Sequence, residues 1–438
     1  MRVGHGTVML PVPAGTPMGG YLDRPGPSTG VLDPLEVTAI TWYDGRRRFA
    51  LAVADVICVN EDLAARARAA VPEAGELWLA ATHTHAGPET GCVPGGAPTP
   101  QPWRDLIAEA TRAAVLRAVA TERPASGQVR QGELREVGGD RSRPSGTPVV
   151  PLDVLVVRDP AGRTSGVLVV LPVHPTVLPA AGRLISADLV GAVRAALRAR
   201  LGPGVWVVVA TGAAGDISTR HTRRGTDRAE LDRLGAVVAE RCLELLNPTD
   251  PSPEPDGVTT RPDHSLESPG RTDQGREPEG VSWAGRRVRL GRVDGNGDPA
   301  ALVAALRAAH AEALASGDPV AVRMARSRLD GARVLTGSAP ARPTLDAAVG
   351  AARLGGVALA ALPGEPFLGV RDLIRASRPE PVLVLGYVNG YPGYLPTADA
   401  YARAEYEVLA AQAAPGSAER LARTAADLLH ELDERRGR

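Results

Sequence analysis

Five short apolar runs set the strongest constraint on how this chain can fold. The stretches 77–81, 166–171, 205–210, 357–362 and 382–385 contain only apolar and small residues, so they read as strands buried on both faces. Further strands are expected near 36–43, 49–56, 127–137, 149–158 and 281–291. Helical patterns lie between them. Asn60 is an N-cap for a helix through about residue 70, and another occupies about 103–121. Ser186 caps a helix with Leu189, Val193 and Leu197 at i+4 spacing. From about 226 to 246, Leu231, Leu234, Val238, Cys242 and Leu245 share one face. Asp298-Pro299 and Asp318-Pro319 each place an N-cap before a proline at the first helical position, and a last helix starts at Ser417. The expected class is α/β, with largely buried, mixed sheets flanked by helices and the active site at strand C-terminal ends.

The remaining segments lack such patterns. Residues 1–35 are rich in Gly and Pro and read as long ordered loops. The stretch 248–280 is dense in Pro, Asp, Glu, Gly and Ser and reads as a flexible insertion in a single domain spanning 1–438. No internal repeat is visible in the sequence.

Composition narrows the chemistry. Positive and negative side chains balance at 50 each, which argues against a nucleic-acid partner. Every basic residue is arginine, which excludes Schiff-base lysine chemistry and a Walker-type phosphate loop. No apolar run reaches the roughly 20 residues of an integral membrane segment. Cys58, Cys92 and Cys242 are widely spaced and odd in number, so neither a disulfide framework nor a thiolate zinc site is expected. Met1-Arg-Val-Gly-His-Gly does not open a secretory signal, and a cytoplasmic location is expected.

The five apolar runs end in small residues and chemically capable ones. The first leads to His83 and His85, the second to His174, and the third to Asp216 and Ser218. The fourth leads to Glu365 and the fifth to Tyr391 and Tyr394. His83 and His85, at i and i+2, project to one side if the extended conformation continues. They suit a zinc site, a ligand-plus-base pair, or two histidines capping a strand end. Histidines plus a carboxylate form a suitable set for catalytic zinc, which polarises a carbonyl and lowers the pKa of bound water to roughly 7.

Thr82-His-Thr-His-Ala-Gly-Pro88, Ala214-Gly-Asp-Ile-Ser218, Pro363-Gly-Glu365 and Asn389-Gly-Tyr-Pro-Gly-Tyr394, followed by Tyr406-Glu407, resemble the motif series of the neutral (non-lysosomal) ceramidase family, in the family's order. Met18-Gly-Gly-Tyr21, Ala54-Asp55 and Asp140-Arg-Ser142 also resemble family blocks. The resemblance implies a zinc ion (Zn2+) held by His83, His174, Glu365 and Tyr394, and cleavage of the amide of an N-acyl substrate. His85 would then act as an acid/base or carbonyl-orienting group. Arg141 and Tyr406 would steady an oxyanion, and Ser218 falls on the family's active-site serine. Tyr391 is the alternative to Tyr394, or stands behind the ligands.

The resemblance has gaps. Ser218 is followed by Thr219-Arg220-His221 where the family usually has Pro-Asn, the segment after Arg141 is shorter, and no counterpart of the C-terminal β-sandwich domain of longer members is found. With Arg220, Arg223 and Arg224 in this region, a soluble N-acyl compound carrying an acidic group is easier to reconcile than ceramide in a bilayer. Acyl transfer at the same metal site and a catalytically silent binding protein are the alternatives. Asp55 reads as the partner of a histidine or as a turn residue, and Asp216 as an acceptor of backbone N–H bonds in a tight turn. His5, His264, His310 and His430 read as solvent-facing.

Overall fold

Three sheets of the same topology follow one another along the chain. They are seen in a computed structural model that describes all residues except 94, 144–148, 247–279, 294–297, 338–343, 404 and 437–438. The first sheet contains β1 (Arg2–Leu10), β2 (Leu35–Tyr43), β3 (Arg48–Ala54) and β4 (Glu76–Ala81), in the order β4-β3-β2-β1, with Arg123–Pro124 added beside β1. The second contains β5 (Ser126–Arg135), β6 (Val149–Arg158), β7 (Thr164–Leu171) and β8 (Trp206–Thr211), in the order β8-β7-β6-β5. The third contains β9 (Val281–Gly291), β10 (Thr344–Leu354), β11 (Val357–Ala361) and β12 (Val382–Leu385), in chain order.

In every sheet the first three strands form an antiparallel meander, and the fourth pairs in parallel with the third. A parallel pair requires a crossover. The helices Glu61–Ala70, Asp188–Leu201 and Leu368–Ala376 supply one per sheet. The architecture is thus repeated although the sequence is not. Hydrogen-bond pattern and face burial define this topology, and many different apolar residues satisfy both.

Burial on both faces explains the apolar runs. Leu51, Val53 and Trp78 of the first sheet meet Leu155, Leu168 and Val208 of the second and Leu359 and Leu383 of the third in a shared central core. Each outer face is covered by helices. Leu63 and Ile107 pack on the first sheet, Leu189 and Val238 on the second, and Ile374 and Leu421 on the third. The parallel pairs β3–β4, β7–β8 and β11–β12 lie at this centre, and their C-terminal ends lead into the loops that carry the site.

Several expectations need correction. Residues 1–35 are not all loop, because β1 runs from Arg2 to Leu10 inside the first sheet. Its glycines reflect close packing: a Cβ on Gly4 would lie 1.9 Å from Ala118 O, and one on Gly6 2.1 Å from Ala114 O. The strand β10 was not anticipated either. Five of its eleven residues are Ala or Gly, and a Cβ on Gly350 would lie 2.7 Å from the Trp78 ring. His5 is half-buried, its ring stacked on Trp206 at 5.3 Å, whereas the His430 side chain is exposed.

The expected insertion at 248–280 and His264 lie outside the described residues, apart from Gly280. The prolines at 299 and 319 open consecutive helices, and Asp298 caps the first by accepting from Ala300 N and Ala301 N. Among the described residues, no helix is long and apolar enough to cross a membrane.

Candidate active site

The extended conformation stops with β4 at Ala81, and His83 turns into the left-handed region at φ +63°. Such a conformation costs a non-glycine residue roughly 1–3 kcal/mol and persists where neighbouring contacts determine it. Here the His83 N–H donates to Val56 O at 3.0 Å, and its Nδ1 to Ile57 O at 2.6 Å. The i and i+2 alternation therefore does not continue, yet both imidazoles converge. His83 Nε2 and His174 Nε2 are 3.0 Å apart, and His85 Nε2 lies 3.3 and 3.1 Å from them.

The protons on these rings follow from their partners. His174 Nδ1 donates to Ala214 O at 3.2 Å. A carbonyl oxygen only accepts, so Nδ1 carries a proton in both His83 and His174, and in the neutral ring Nε2 presents a lone pair. Burial holds the His85 and His174 pKa values well below the ordinary imidazole value, and nearby Arg141 and His83 add to the effect. Glu365 stays ionised. Burial favours its neutral form, but His83, Arg141 and the Tyr391 hydroxyl outweigh that and lower its pKa.

Glu365 completes the cluster. Its Oε1 accepts from Tyr391 at 2.5 Å, while Oε2 has no hydrogen-bond donor and lies 3.2 Å from His83 Nε2 and 3.7 Å from His174 Nε2. Any of these nitrogens without a proton turns a lone pair toward its neighbours and toward the Glu365 carboxylate, and such atoms packed this closely repel one another. A cation in their midst removes that repulsion. Zinc–ligand bonds of roughly 2.0–2.1 Å place tetrahedral donor atoms roughly 3.3–3.4 Å apart, close to the spacings found here. The histidine trio can hold a metal ion.

A buried cation stands beside this cluster. Arg141 pairs with Glu407 at 2.5 Å and donates through Nη2 to Tyr394 Oη at 2.9 Å and Gly215 O at 2.7 Å. Tyr394 lies opposite Glu365 in a short parallel bridge, and the Tyr406 ring packs edge-on to it at 5.8 Å. Ser218 bridges to the His174 backbone, and its Oγ accepts from Arg220 N at 3.3 Å.

No family model matches the sequence, and no curated protein matches it. Solved structures do. The neutral ceramidase from Pseudomonas aeruginosa superposes with a TM-score of 0.72 at 18% identity, over 99% of this chain and 74% of that one. A ceramidase complexed with C2 gives a TM-score of 0.71 at 17% identity, over 99% and 75%. The chain has the neutral-ceramidase fold.

Within the neutral-ceramidase fold, the expected site residues separate into two groups. His83, His85, His174, Glu365, Tyr391, Tyr394 and Arg141 are linked to one another by the contacts above, with Tyr406 and Ser218 packed alongside. Asp55 and Asp216 do other work. Asp55 is fully buried, accepts from Glu36 N, and pairs with Arg194 at 2.6 Å, whereas His83 Nδ1 is held by a carbonyl. Asp216 accepts from Leu368 N at 2.8 Å, at the start of the crossover helix of the third sheet.

Sequence reasoning gave no role to Tyr21 or Glu407, nor to Arg24. The Tyr21 ring stands edge-on to His85 at 4.9 Å, and Arg24 Nη2 donates to His85 O at 2.5 Å. The signal was in Gly19-Gly20, since a Cβ on Gly20 would lie 2.5 Å from His85 Nδ1. Tyr387, read as packing, stacks on His83 at 4.4 Å. Cys92 packs on Ile57, Cys58 and Tyr391.

Proposed function

We propose that this chain is a zinc-dependent amidohydrolase that cleaves the amide bond of an N-acyl substrate. The observation that carries the reading is the convergence of the His83, His85 and His174 Nε2 atoms with Glu365 Oε2. The fold it shares with the two ceramidases supports the same chemistry.

His83, His174, Glu365 and Tyr394 would hold the ion. One asymmetry separates His85 from the other two histidines. His83 and His174 are oriented by Nδ1–H bonds to backbone carbonyls, as metal-ligating imidazoles usually are. His85 lacks such a well-formed bond, its Nδ1 facing the backbone of Gly20 instead, and it is the most exposed of the three at 9%. This looser hold would suit a group that takes a proton from water and delivers it to the departing amine.

A zinc ion held there would polarise the amide carbonyl and favour ionisation of water. Arg141, fixed by Glu407, places a permanent positive charge beside Tyr394, and with Tyr406 it would steady the negative charge that develops on the carbonyl oxygen. Tyr391 fixes the Glu365 carboxylate so that Oε2 faces the histidines. Three free cysteines fit a reducing, cytoplasmic setting.

The test is release of amine from a panel of N-acyl amines by the zinc-loaded protein, with and without an added amine acceptor. Hydrolysis that is lost in His174→Ala and Glu365→Ala, together with their zinc, supports the reading. Full activity and full zinc content in both variants sink it. Product formed only when the acceptor is present identifies a transferase instead.

A further inference from the structure

We propose that the side of the site next to His85 binds a carboxylate on the substrate, so that the N-acyl compound this protein takes is an anion. The inference rests on the amidohydrolase reading and narrows its substrate class.

Three arginines gather there. Each is anchored on main chain that carries or adjoins a site residue. Arg24 donates to His85 O at 2.5 Å and to Gly182 O, and its guanidinium lies 5.1 Å from the centre of the Tyr21 ring, which itself meets His85. Arg220 Nη1 donates to Arg141 O at 3.1 Å. Arg223 Nη1 donates to Thr176 O and to Val177 O, just past His174. The three form one electrostatic neighbourhood, since all act on Tyr21.

Their charges are not matched by acids. Among the described residues, none of the three forms an ion pair, and every side-chain hydrogen bond they make goes to a backbone carbonyl. The nearby carboxylates are engaged elsewhere. Glu407 pairs with Arg141, Asp23 with Arg326, and Asp188 accepts from Val177 N, Leu178 N and Leu189 N.

Arg24, Arg220 and Arg223 are all half-buried, and Arg24 Nε is fully buried with no partner. Burial and then the neighbouring Arg141 push the Arg220 pKa down to about 10. A partly desolvated guanidinium without a counter-ion is costly, and a carboxylate is its best-matched partner because the guanidinium fork donates to both oxygens. Arg220 also stands where the sequence departs from the motif it otherwise resembles. The bound anion would therefore lie within reach of His85 and Ser218, attached to the same molecule as the scissile amide.

The experiment compares N-octanoylglycine with its neutral analogue N-octanoylglycinamide. Binding is measured by calorimetry on the wild-type protein and on Arg24→Gln and Arg220→Gln, each first checked for an unchanged melting curve. The wild type binds the carboxylate at least about tenfold tighter, a preference that weakens as salt is raised, and the ratio falls to within about threefold in each variant. Equal wild-type affinities overturn the proposal, as does a ratio that survives both substitutions. If a variant melts early, the wild-type ratio and its salt dependence decide alone. Octanoate release from the same two compounds is scored separately. No release from either sinks the amidohydrolase reading, while the affinity ratio still decides this inference.

Discussion

Tyr391 donates its hydroxyl proton to Glu365 Oε1 at 2.5 Å, and the other oxygen of that carboxylate faces His83 Nε2 at 3.2 Å. The first contact sets the second, because a carboxylate held at one oxygen cannot rotate freely about its bond. Glu365 comes from the end of β11 and Tyr391 from the end of β12, the parallel pair of the third sheet. His83 follows β4 of the first sheet and His174 follows β7 of the second. One cluster is thus assembled from all three sheets.

Replacing Tyr391 by Phe removes one hydroxyl from this arrangement and leaves its ring. Loss of a partner that orients a ligand typically weakens metal binding by about 10–100-fold. Zinc affinity, measured by competition with a chromophoric chelator, should fall within that range while the fold survives. Unchanged affinity would mean that Glu365 needs no help from Tyr391 to face the histidines.

Zinc should also stabilise the folded chain. A ligand that binds only the native state adds about 2.7 kcal/mol when present at 100 times its Kd. The melting temperature of chelator-stripped protein should therefore rise on adding zinc, and His174→Ala should show a much smaller rise. An equal rise in both proteins would place the ion somewhere other than the histidine cluster.

Gly20→Ala tests the division of labour among the histidines. Gly20 has φ +94°, and an added Cβ would lie 2.5 Å from His85 Cγ and Nδ1, so the ring must shift. The three atoms nearest that position all belong to His85. The variant should keep its zinc but lose activity by roughly 10²–10⁴-fold, the usual share of a positioned proton-transfer group. If zinc disappears with the activity, His85 is itself a ligand.

These tests also show where the sequence was readable. Strands flanked by helices on one side and by other sheets on the other must be continuously apolar, so the runs ending near Ala81, Leu171 and Leu385 stood out. The residues just beyond them were short-range features of the same runs. The strand Thr344–Leu354 was hidden because its four alanines and Gly350, the latter packed close against Trp78, carry little strand signal. The position of Tyr21 beside His85 was equally hidden, since a contact between distant loops leaves no periodicity. Asp55 illustrates a third limit. Its carboxylate sits one residue beyond a strand, as a ligand-supporting group would, but its partner Arg194 lies on a helix 139 residues away.

That pair gives a structural counterpart to the site variants. Asp55 and Arg194 have side-chain exposures of 0% and 5%, so removing Asp55 leaves Arg194 charged and buried with only its 3.4 Å contact to Glu36. Breaking such a pair costs about 3–5 kcal/mol. Asp55→Ala should lower the urea midpoint accordingly and leave the zinc affinity of the folded protein near wild type. A normal midpoint combined with weak zinc binding would make Asp55 a support of His83 after all.

His5 predicts how stability depends on pH. Its ring is stacked on Trp206, and burial, followed by the charge of Arg198, lowers its pKa from 6.5 to about 4, while Glu36 acts weakly in the other direction. In the unfolded chain it regains its ordinary value, so between these limits the unfolded state binds the extra proton. The contribution of neutral His5 is therefore fully present above pH 6.5 and is lost as the pH falls toward 4. Denaturation midpoints measured across this window should decline for the wild type and decline less for His5→Gln, whose amide does not titrate. Parallel declines would assign the acid sensitivity to other groups and leave His5 without a part in it.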